Sequence, residues 1–236
     1  MNSSELKGYL TGLIFGDGCI DKGITKRAFE IKSIHFDFIQ KIKEDIESCS
    51  NFKIHINYNP EYLSKDGTHH KESWTLRIEA HPYFAKKYHH FYDDNRKRTV
   101  SKEATTWLTP NGLANWYMSD GYVCLVGKTK GLIRSRRIDL CTDRYPKHIV
   151  QRLVKILYDN FNINASIIKR NKFYRIRIQS TSYQTFMNTI YPYIVPSMQY
   201  KLYLGYEQQP EWMENWLWDI QKSLKSAITL TSNVEG

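Results

Sequence analysis

The sequence has no long hydrophobic run, few cysteines and no recognisable leader, and each absence excludes a class of protein. No stretch reaches the roughly 18 consecutive apolar residues that a membrane-spanning helix needs, and the N-terminus lacks the cationic and then apolar layout of a signal peptide. The four cysteines show no C-x-x-C spacing, which favours reduced thiols over disulfides or a zinc site. We therefore expect a protein without a membrane segment, retained in a bacterial or phage-infected cytoplasm or in an organelle matrix.

Two common catalytic motifs are also missing, whereas positive charge is abundant. The sequence contains neither a phosphate-cradling glycine loop nor Gly-x-Ser-x-Gly. Its 34 Lys and Arg against 24 Asp and Glu give a net charge of +10, interleaved with aromatic residues and not collected in a tail. This distribution favours a nucleic-acid partner. With 236 residues, 41% of them hydrophobic, the chain is long enough for two domains of about 110 residues, each with its own core.

A short motif occurs twice and is the most informative feature present. Residues 10–18 (LTGLIFGDG) and 113–121 (LANWYMSDG) are both apolar, helix-compatible stretches that end in an aspartate followed by glycine. The aspartates, Asp17 and Asp120, lie 103 residues apart, which predicts an internal repeat of that period. An aspartate that ends an apolar helix, present twice in one chain, indicates a paired-carboxylate site between two half-domains.

The glycines of the first motif indicate how the two helices meet. Gly8, Gly12 and Gly16 recur every four residues and give one helix a bare face that a second backbone can approach. Ala114 is the small residue early in the second motif. Close packing would place both carboxylates at helix C-termini, where the free carbonyls and the dipole favour a cation. Two hard oxygen ligands without a neighbouring His or Cys cluster predict Mg²⁺ or a similar divalent ion.

The segments after each motif follow one order. Residues 52–59 and 73–79 alternate apolar and polar side chains, as half-buried strands do, whereas residues 36–46 show helical spacing. The second half repeats the plan, so each half is predicted as α-β-β-α-β-β-α. The predicted fold class is α+β, with two pseudo-symmetric half-domains, a four-stranded antiparallel sheet in each, and the motif helices at their interface. The basic, exposed sheet faces would form a saddle over DNA.

Composition also suggests the domain boundaries. A charged, turn-prone run near residue 95 separates the halves, which predicts a first half-domain over residues 1–95, a linker over 96–109 and a second half-domain over 110–206. Residues 207–236 form a C-terminal extension, in which Trp212, Trp216 and Ile220 follow helical spacing. We expect this extension to be helical and packed on the body of the protein.

With both motif copies in view, the chain resembles a LAGLIDADG homing endonuclease of the single-chain class that carries two motifs. The resemblance extends over roughly residues 5 to 204. It includes the segment Trp107-Leu108-Thr109-Pro110 before the second motif and the segment from Pro196 to Leu202 that closes the second half. Thr11, Asn115 and Ser119 depart from the eponymous motif, and Asn115 replaces a close-packing glycine, so the second helix is expected slightly off the symmetric position.

The resemblance implies a set of site residues. Asp17 and Asp120 match the metal-binding aspartates, and Gly16 and Ser119 match the residues that lend a backbone carbonyl. Lys201 matches the basic residue beside the scissile phosphate in the second half. In the first half the match is open between Lys97, the usual residue type, and Arg98, which precedes Lys201 by the motif period of 103 residues. The implied reaction is Mg²⁺-dependent hydrolysis of both DNA strands across the minor groove, leaving short 3′ overhangs.

The polar faces of the strands supply the expected contacts to double-stranded DNA. Arg pairs with guanine, and Asn or Gln with adenine, in the major groove. Unlike side chains in the two halves predict a long asymmetric target, bound by a monomer. The predicted DNA-binding residues are Lys22, Lys26, Lys32, Lys53, His55, Asn57, Thr75, Arg77, Lys128, Arg134, Arg136, Arg137, Lys169, Arg175, Arg177 and Gln179.

Two other functions fit the same scaffold. An intron RNA maturase would use the basic surface to assist splicing, and a regulator would bind DNA without cleaving it. The presence of both aspartates favours the nuclease but is compatible with a maturase. The pairs His69-His70 and His89-His90 are not predicted as metal ligands, because adjacent residues do not share a helix face.

Overall fold

The structure is a computed structural model that describes residues 1–23, 25–129 and 132–202, with the backbone alone at residues 124–129 and 132–136. The predicted C-terminal extension lies outside the described residues. The first half contains helices α1 (Ser3–Phe15), α2 (Phe36–Glu47) and α3 (Pro82–Lys87), and strands β1 (Cys19–Ile20), β2 (Arg27–Ser33), β3 (Ile54–Asn59), β4 (Tyr62–Leu63), β5 (His69–His70) and β6 (Ser73–His81).

The second half repeats this order without β4 and β5. It contains helices α4 (Pro110–Asp120), α5 (Lys147–Phe161) and α6 (Tyr183–Ile190), and strands β7 (Gly121–Thr129), β8 (Leu132–Leu140), β9 (Ala165–Arg170) and β10 (Phe173–Ile178). Short 3₁₀ turns follow, of which the last is Pro196–Lys201. The predicted order α-β-β-α-β-β-α is confirmed in both halves. Helix α3 is short and gives way to a 3₁₀ turn after Lys87.

Each half has a four-stranded antiparallel sheet with the same topology. The strand orders are β1-β2-β6-β3 and β7-β8-β10-β9. In the first sheet Ile31, Leu76 and Ile56 lie opposite one another and face the core, while the neighbouring row of Glu30, Arg77 and His55 faces away from it. The period of two in the sequence therefore separates an apolar from a polar face, as predicted.

The apolar faces are covered by amphipathic helices. The buried stripe of α2 is Phe38, Ile39, Ile42 and Ile46, and that of α5 is Ile149, Val150, Leu153, Ile156 and Leu157. The motif helices α1 and α4 differ, because they are buried on nearly every side. A helix that is apolar all round belongs at the centre of a protein, and α1 and α4 pack against each other between the two halves.

Local sequence signals set where the motif helices begin. Asn2 caps α1 with a capping box, in which its side chain accepts from Glu5 N and the Glu5 carboxylate accepts from Asn2 N at 2.8 Å. Helix α4 begins with Pro110 in its first turn, and the Thr109 hydroxyl accepts from Gly112 N at 3.2 Å. Both helices therefore have a fixed start, which in turn fixes where their aspartates emerge.

Candidate active site

The backbones of α1 and α4 touch, and glycines make this possible. A Cβ atom added at Gly12 would lie 1.8 Å from the carbonyl oxygen of Gly112, and one at Gly16 would lie 2.4 Å from the Cβ of Ser119. The close approach predicted from Gly8, Gly12 and Gly16 is thus present. The expectation that Ala114 is the small partner was incomplete, because Gly112, one residue before the second motif stretch, meets Gly12. Asn115 is fully buried in α4.

The two aspartates emerge at the C-terminal ends of these helices. Asp120 is the last residue of α4, and Asp17 follows Gly16, which caps α1. Burial raises the pKa of Asp120 to about 7, and the negative charge of Asp17 contributes to the rise. The nearby cations of Arg144, Lys201 and Arg98 act in the opposite direction. The structure therefore brings the two carboxylates into one electrostatic site.

The two carboxylates have different surroundings. The side chain of Asp17 is 40% exposed, and its Oδ1 accepts a hydrogen bond from Nη2 of Arg144 at 2.8 Å. Arg144 lies between β8 and α5, in the opposite half from Asp17. Asp120 is also half-buried, and burial is the largest cause of its raised pKa. The guanidinium group of Arg144 thus neutralises the carboxylate of Asp17. The carboxylate of Asp120 has only cations at longer range to offset its charge.

Lys201 and Arg98 occupy equivalent places at the ends of the motif helices. Nζ of Lys201 donates to the carbonyl of Met118 and, at 3.3 Å, to that of Ser119. The guanidinium of Arg98 donates to the carbonyl of Ile14 and, at 2.7 Å from Nη2, to that of Gly18. Both cations therefore bind the free carbonyls at a helix C-terminus. Burial lowers the pKa of Lys201 despite the nearby carboxylates of Asp120 and Asp17.

Lys97, the alternative to Arg98, lies outside this cluster. Its side chain is exposed, and its backbone N donates to the Asp93 carboxylate at 2.8 Å within a turn. Neighbouring residues in an extended segment point to opposite sides, so only one of the pair can reach the motif helix. Of the two, the structure places Arg98 beside α1.

The polar sheet faces carry more acidic residues than the sequence reasoning considered. Arg77 contacts Glu30, and Arg175 makes a two-point contact with Asp143 at 2.8 and 2.6 Å. Further pairs join Arg177 to the buried Asp139 at 2.7 Å twice, His55 to Glu79 at 2.8 Å, and Lys53 to Glu79 at 4.0 Å. These carboxylates hold the basic side chains in fixed directions on the sheet surface.

The remaining predicted DNA-binding residues divide into three groups. Thr75 is half-buried and accepts from Asn59 Nδ2 at 3.0 Å, and Arg137 is half-buried in β8. The side chains of Lys128, Arg134 and Arg136 lie outside the described part of the structure. The exposed ones are Lys22, Lys26, Lys32, Asn57, Lys169 and Gln179.

Sequence reasoning missed two residues of the site. Arg144 contacts Asp17 across 127 residues of chain, and the buried hydroxyl of Tyr145 donates to the carbonyl of Phe15 at 3.5 Å. Neither residue belongs to the repeated motif, and nothing in the local pattern after β8 distinguishes them from a surface loop.

Within the described residues, no helix combines the length and apolar character of a membrane span.

Comparison with known proteins agrees with this geometry. A sequence model of the LAGLIDADG DNA endonuclease family matches residues 7–186. The DNA endonuclease I-ChuI of Chlamydomonas applanata is 26% identical over 221 residues, which are 85% of this chain and 95% of that protein. Probable intron-encoded endonuclease 1 of Wickerhamomyces canadensis is 29% identical over 130 residues, 55% of either protein, so this chain spans about half the length of that relative.

Two further similarities concern a maturase and a solved structure. The cytochrome b mRNA maturase bI2 of Saccharomyces cerevisiae is 32% identical over 108 residues, 44% of this chain and 23% of that protein. The homing endonuclease I-WcaI bound to its DNA recognition sequence matches with a TM-score of 0.70 and 24% identity, over 86% of this chain and 88% of that one. The structural match confirms the α+β fold with two pseudo-symmetric halves. Because the family match extends over both motif helices and both sheets, this chain belongs to the LAGLIDADG DNA endonuclease family.

Proposed function

We propose that this chain is a monomeric homing endonuclease that cleaves both strands of a specific double-stranded DNA site across the minor groove and leaves short 3′ overhangs. One observation carries the proposal: Asp17 and Asp120 share a site at the ends of two helices in backbone contact, between two sheets with polar outer faces. The relative I-ChuI, a DNA endonuclease by name, matches over 95% of its length and supports it.

Mg²⁺ or a similar divalent cation is the proposed cofactor. The carboxylates of Asp17 and Asp120 would hold it, with the carbonyl oxygens of Gly16 and Ser119 as further ligands. This donor set fits, because the negative charge of Asp17 disfavours the ionised form of Asp120 and a cation at the site would relieve that effect. No group of three or more His, Cys, Asp and Glu side chains that could hold a metal occurs in the described residues. Mg²⁺ suits such a sparse site, since it keeps waters and binds substrate phosphates.

The protein's own cations have a second role in this proposal. A bound divalent cation would supply charge stabilisation at the scissile phosphate. Lys201 and Arg98, already fixed on the carbonyls at the ends of α4 and α1, would add positive charge beside each cleaved strand where negative charge develops in the transition state. Water is the proposed nucleophile, so no side chain needs to form a covalent intermediate.

The sheets are proposed to read the DNA sequence. Their exposed polar faces would follow the major groove on both sides of the cut, with side chains such as Asn57, Lys169 and Gln179 directed at base edges. The two halves, proposed to extend over residues 1–95 and 110–206 with 96–109 between them, present different side chains. The two sheets together are proposed to cover about two helical turns of duplex, and the difference between the halves would make the target asymmetric.

The proposal is tested by selecting cleaved sites from a randomised duplex library with the purified full-length protein and Mg²⁺. We expect one asymmetric family of sites to be enriched. On the selected duplex, Asp17→Asn and Asp120→Asn should each lower the rate of double-strand cleavage at least 1000-fold and keep metal-independent DNA binding. Normal double-strand cleavage by either variant would refute the assignment.

A matched control excludes a simple charge effect. Asp94 is exposed in the turn between the halves, and Asp94→Asn removes the same charge as the active-site variants. Its cleavage rate should stay within about twofold of the wild type, as expected for an exposed surface substitution.

A second candidate function is intron RNA maturation. It is favoured by the 32% identity to the maturase bI2 over 108 residues. Splicing of the host intron in vitro with and without the protein tests it. If splicing accelerates equally with wild type and Asp120→Asn, the same scaffold has a second activity that does not need the carboxylate pair.

A further inference from the structure

The connection between the last two strands of the sheet differs between the halves. In the second half, β9 and β10 are joined by Asn171 and Lys172, a tight turn with Asn171 at φ 53°. In the first half, residues 60–72 join β3 to β6 and form a hairpin of their own, β4 and β5. The first half-domain therefore has an arm, residues 60–72, for which the second half has no counterpart.

This arm is an ordered structure. Its strands pair Tyr62 with His70 and Leu63 with His69, and the rings of Tyr62 and His70 are stacked with centroids 4.5 Å apart. At its tip Ser64 N donates to Thr68 O at 2.9 Å, and Gly67 supplies the positive φ of 82° that the turn needs. At its base the Tyr58 hydroxyl donates to Glu72 at 3.0 Å. These contacts give the side chains of the arm defined positions.

The arm borders a cavity of about 620 Å³ that reaches the two motif helices. Its lining brings together His69, His70 and Lys71 of the arm with Asp17, Ser119 and Lys201 of the candidate active site. Lys32 connects the cavity to the polar face of the first sheet, where it lies opposite Thr75 in the strand register. A strand of nucleic acid that follows this sheet face into the cavity would therefore contact both the arm and the surroundings of Asp17.

The charge of the cavity suits such a strand. Its lining contains three lysines, Lys32, Lys71 and Lys201, and a single carboxylate, that of Asp17. Arg144 already neutralises that carboxylate at 2.8 Å. Lys71 is exposed and makes no ion pair within the described parts of the chain. An unpaired ammonium group in the same cavity as the catalytic carboxylate is suited to bind a phosphodiester oxygen.

We propose that the arm, through Lys71, binds the phosphodiester backbone of one DNA strand beside the cut, and so promotes cleavage of that strand over the other. This inference rests on the proposed function, since it concerns the same substrate. It goes beyond that function because it assigns a strand-specific role to a hairpin outside the repeated half-domain plan. The second half, with only the turn at Asn171 and Lys172, would act on its strand without this contact.

The test uses the full-length protein and a selected cleavage site with a different fluorophore on each strand. Lys71→Ala should slow cleavage of one strand about tenfold relative to the other, as expected for the loss of one charge-assisted contact. Two matched controls remove the same charge elsewhere: Lys65→Ala at the tip of the arm, outside the cavity lining, and Lys172→Ala in the short turn of the second half. Both should leave the strand ratio within twofold of the wild type.

A second measurement does not need cleavage. For a non-specific duplex, the slope of log binding constant against log salt concentration should fall in magnitude by about 0.9 for Lys71→Ala and stay unchanged for Lys65→Ala, because one phosphate contact releases about one counterion. Equal slowing of both strands, or equal slopes for the two variants, would overturn the proposal for the arm. Failure of the wild type to cleave any duplex would instead overturn the proposed function, and the slopes would still decide whether the arm contacts phosphate.

Discussion

The two half-domains share a backbone plan but surround their aspartates differently. In the first half, Asp17 is partly exposed and paired with Arg144, Arg98 binds the end of α1, and residues 60–72 form an arm beside the site. In the second half, Asp120 is half-buried with its pKa raised to about 7, mainly by burial, and Lys201 binds the end of α4.

The backbone fold is therefore repeated in the two halves, whereas the side chains around each aspartate differ. A symmetric homodimer must present two identical sites, whereas a single chain is free to change each one separately. The packing of α1 against α4 has to be conserved on both sides, because a shift of either helix moves both aspartates. The side chains around each aspartate are under no such constraint, and it is there that the halves differ.

The largest expected effect comes from breaking the contact on which both halves depend. Gly12→Ala would place a Cβ 1.8 Å from the Gly112 carbonyl oxygen, so the two helix backbones would have to separate. We expect a loss of about 3 kcal/mol in the free energy of unfolding, measured by urea denaturation, together with loss of cleavage. Ser4→Ala, on the exposed first turn of α1, should change the free energy of unfolding by less than about 0.5 kcal/mol. Similar values for both variants would contradict the close contact.

The next largest effect compares the two basic residues. Lys201→Gln and Arg98→Gln should each slow cleavage about 100-fold, because each removes positive charge from the position proposed for a reacting phosphate. Lys97→Gln, whose side chain is exposed, should change the rate less than about twofold. Single-turnover cleavage rates check this.

Because Arg98 also binds the carbonyls of Ile14 and Gly18, Arg98→Lys separates charge from support of the helix end. We expect Arg98→Lys to cleave about tenfold faster than Arg98→Gln, because lysine keeps the positive charge but lacks the planar guanidinium group. A larger loss with Lys97→Gln than with Arg98→Gln would reverse the assignment.

A third prediction concerns the pH dependence of stability. Folded Asp120 has a pKa of about 7, whereas an unfolded aspartate releases its proton near pH 4. The folded state therefore holds a proton that the unfolded chain has lost, and the metal-free protein becomes less stable as pH rises from about 4 to about 7. Asp120→Asn removes this dependence and should raise the free energy of unfolding by about 2 kcal/mol at pH 8, with a smaller gain at pH 5.

The comparison variant for this prediction is Asp17→Asn. Its carboxylate is 40% exposed and bound to Arg144, so the substitution removes an ion pair. It also removes a charge that raises the pKa of Asp120, and its gain at pH 8 should therefore be smaller than that of Asp120→Asn. Thermal unfolding of both variants in the presence of a chelator, between pH 5 and pH 8, checks the difference. An equal gain from both substitutions would show that the two carboxylates have equivalent surroundings, contrary to the comparison above.

The smallest expected effect concerns Asn115, the residue that replaces a motif glycine. Its side chain is fully buried near the Tyr9 hydroxyl, and within the described part of the chain neither amide atom makes a hydrogen bond of good geometry. Asn115→Ala removes both unpaired groups and should stabilise the protein by about 1 kcal/mol in urea denaturation. A destabilisation of that size would indicate that the amide has a partner, such as an ordered water.

Much of this architecture could be predicted from sequence because it depends on local patterns. The alternation in residues 52–59 and 73–79 reflects the pleat of a half-buried strand, and the two Asp-Gly motifs mark the helix ends. The arm was missed because residues 60–72 are polar and form only two short strands, which leave no periodic signal. The Gly12–Gly112 contact depends on how far α1 and α4 are shifted along each other. A sequence pattern does not contain that shift.

The charged contacts were the least predictable part of the site. Asp17 meets Arg144 across 127 residues of chain, and Arg177 meets Asp139 across 38. Such pairs form only once the sheets and helices are assembled, so they follow from the tertiary structure and not from any local spacing. The alternation of the strands predicted which side chains are outward, but it carried no information on which of them are paired.

Asp17 and Asp120 are proposed to hold divalent cations at the junction of the motif helices when DNA is bound. Anomalous diffraction from crystals of the protein with its selected duplex and Mn²⁺ measures this directly. The account predicts anomalous peaks within coordination distance of both carboxylates and beside the DNA phosphates at the cut. Peaks confined to other sites, such as His69 and His70, with none at Asp17 and Asp120, would contradict it.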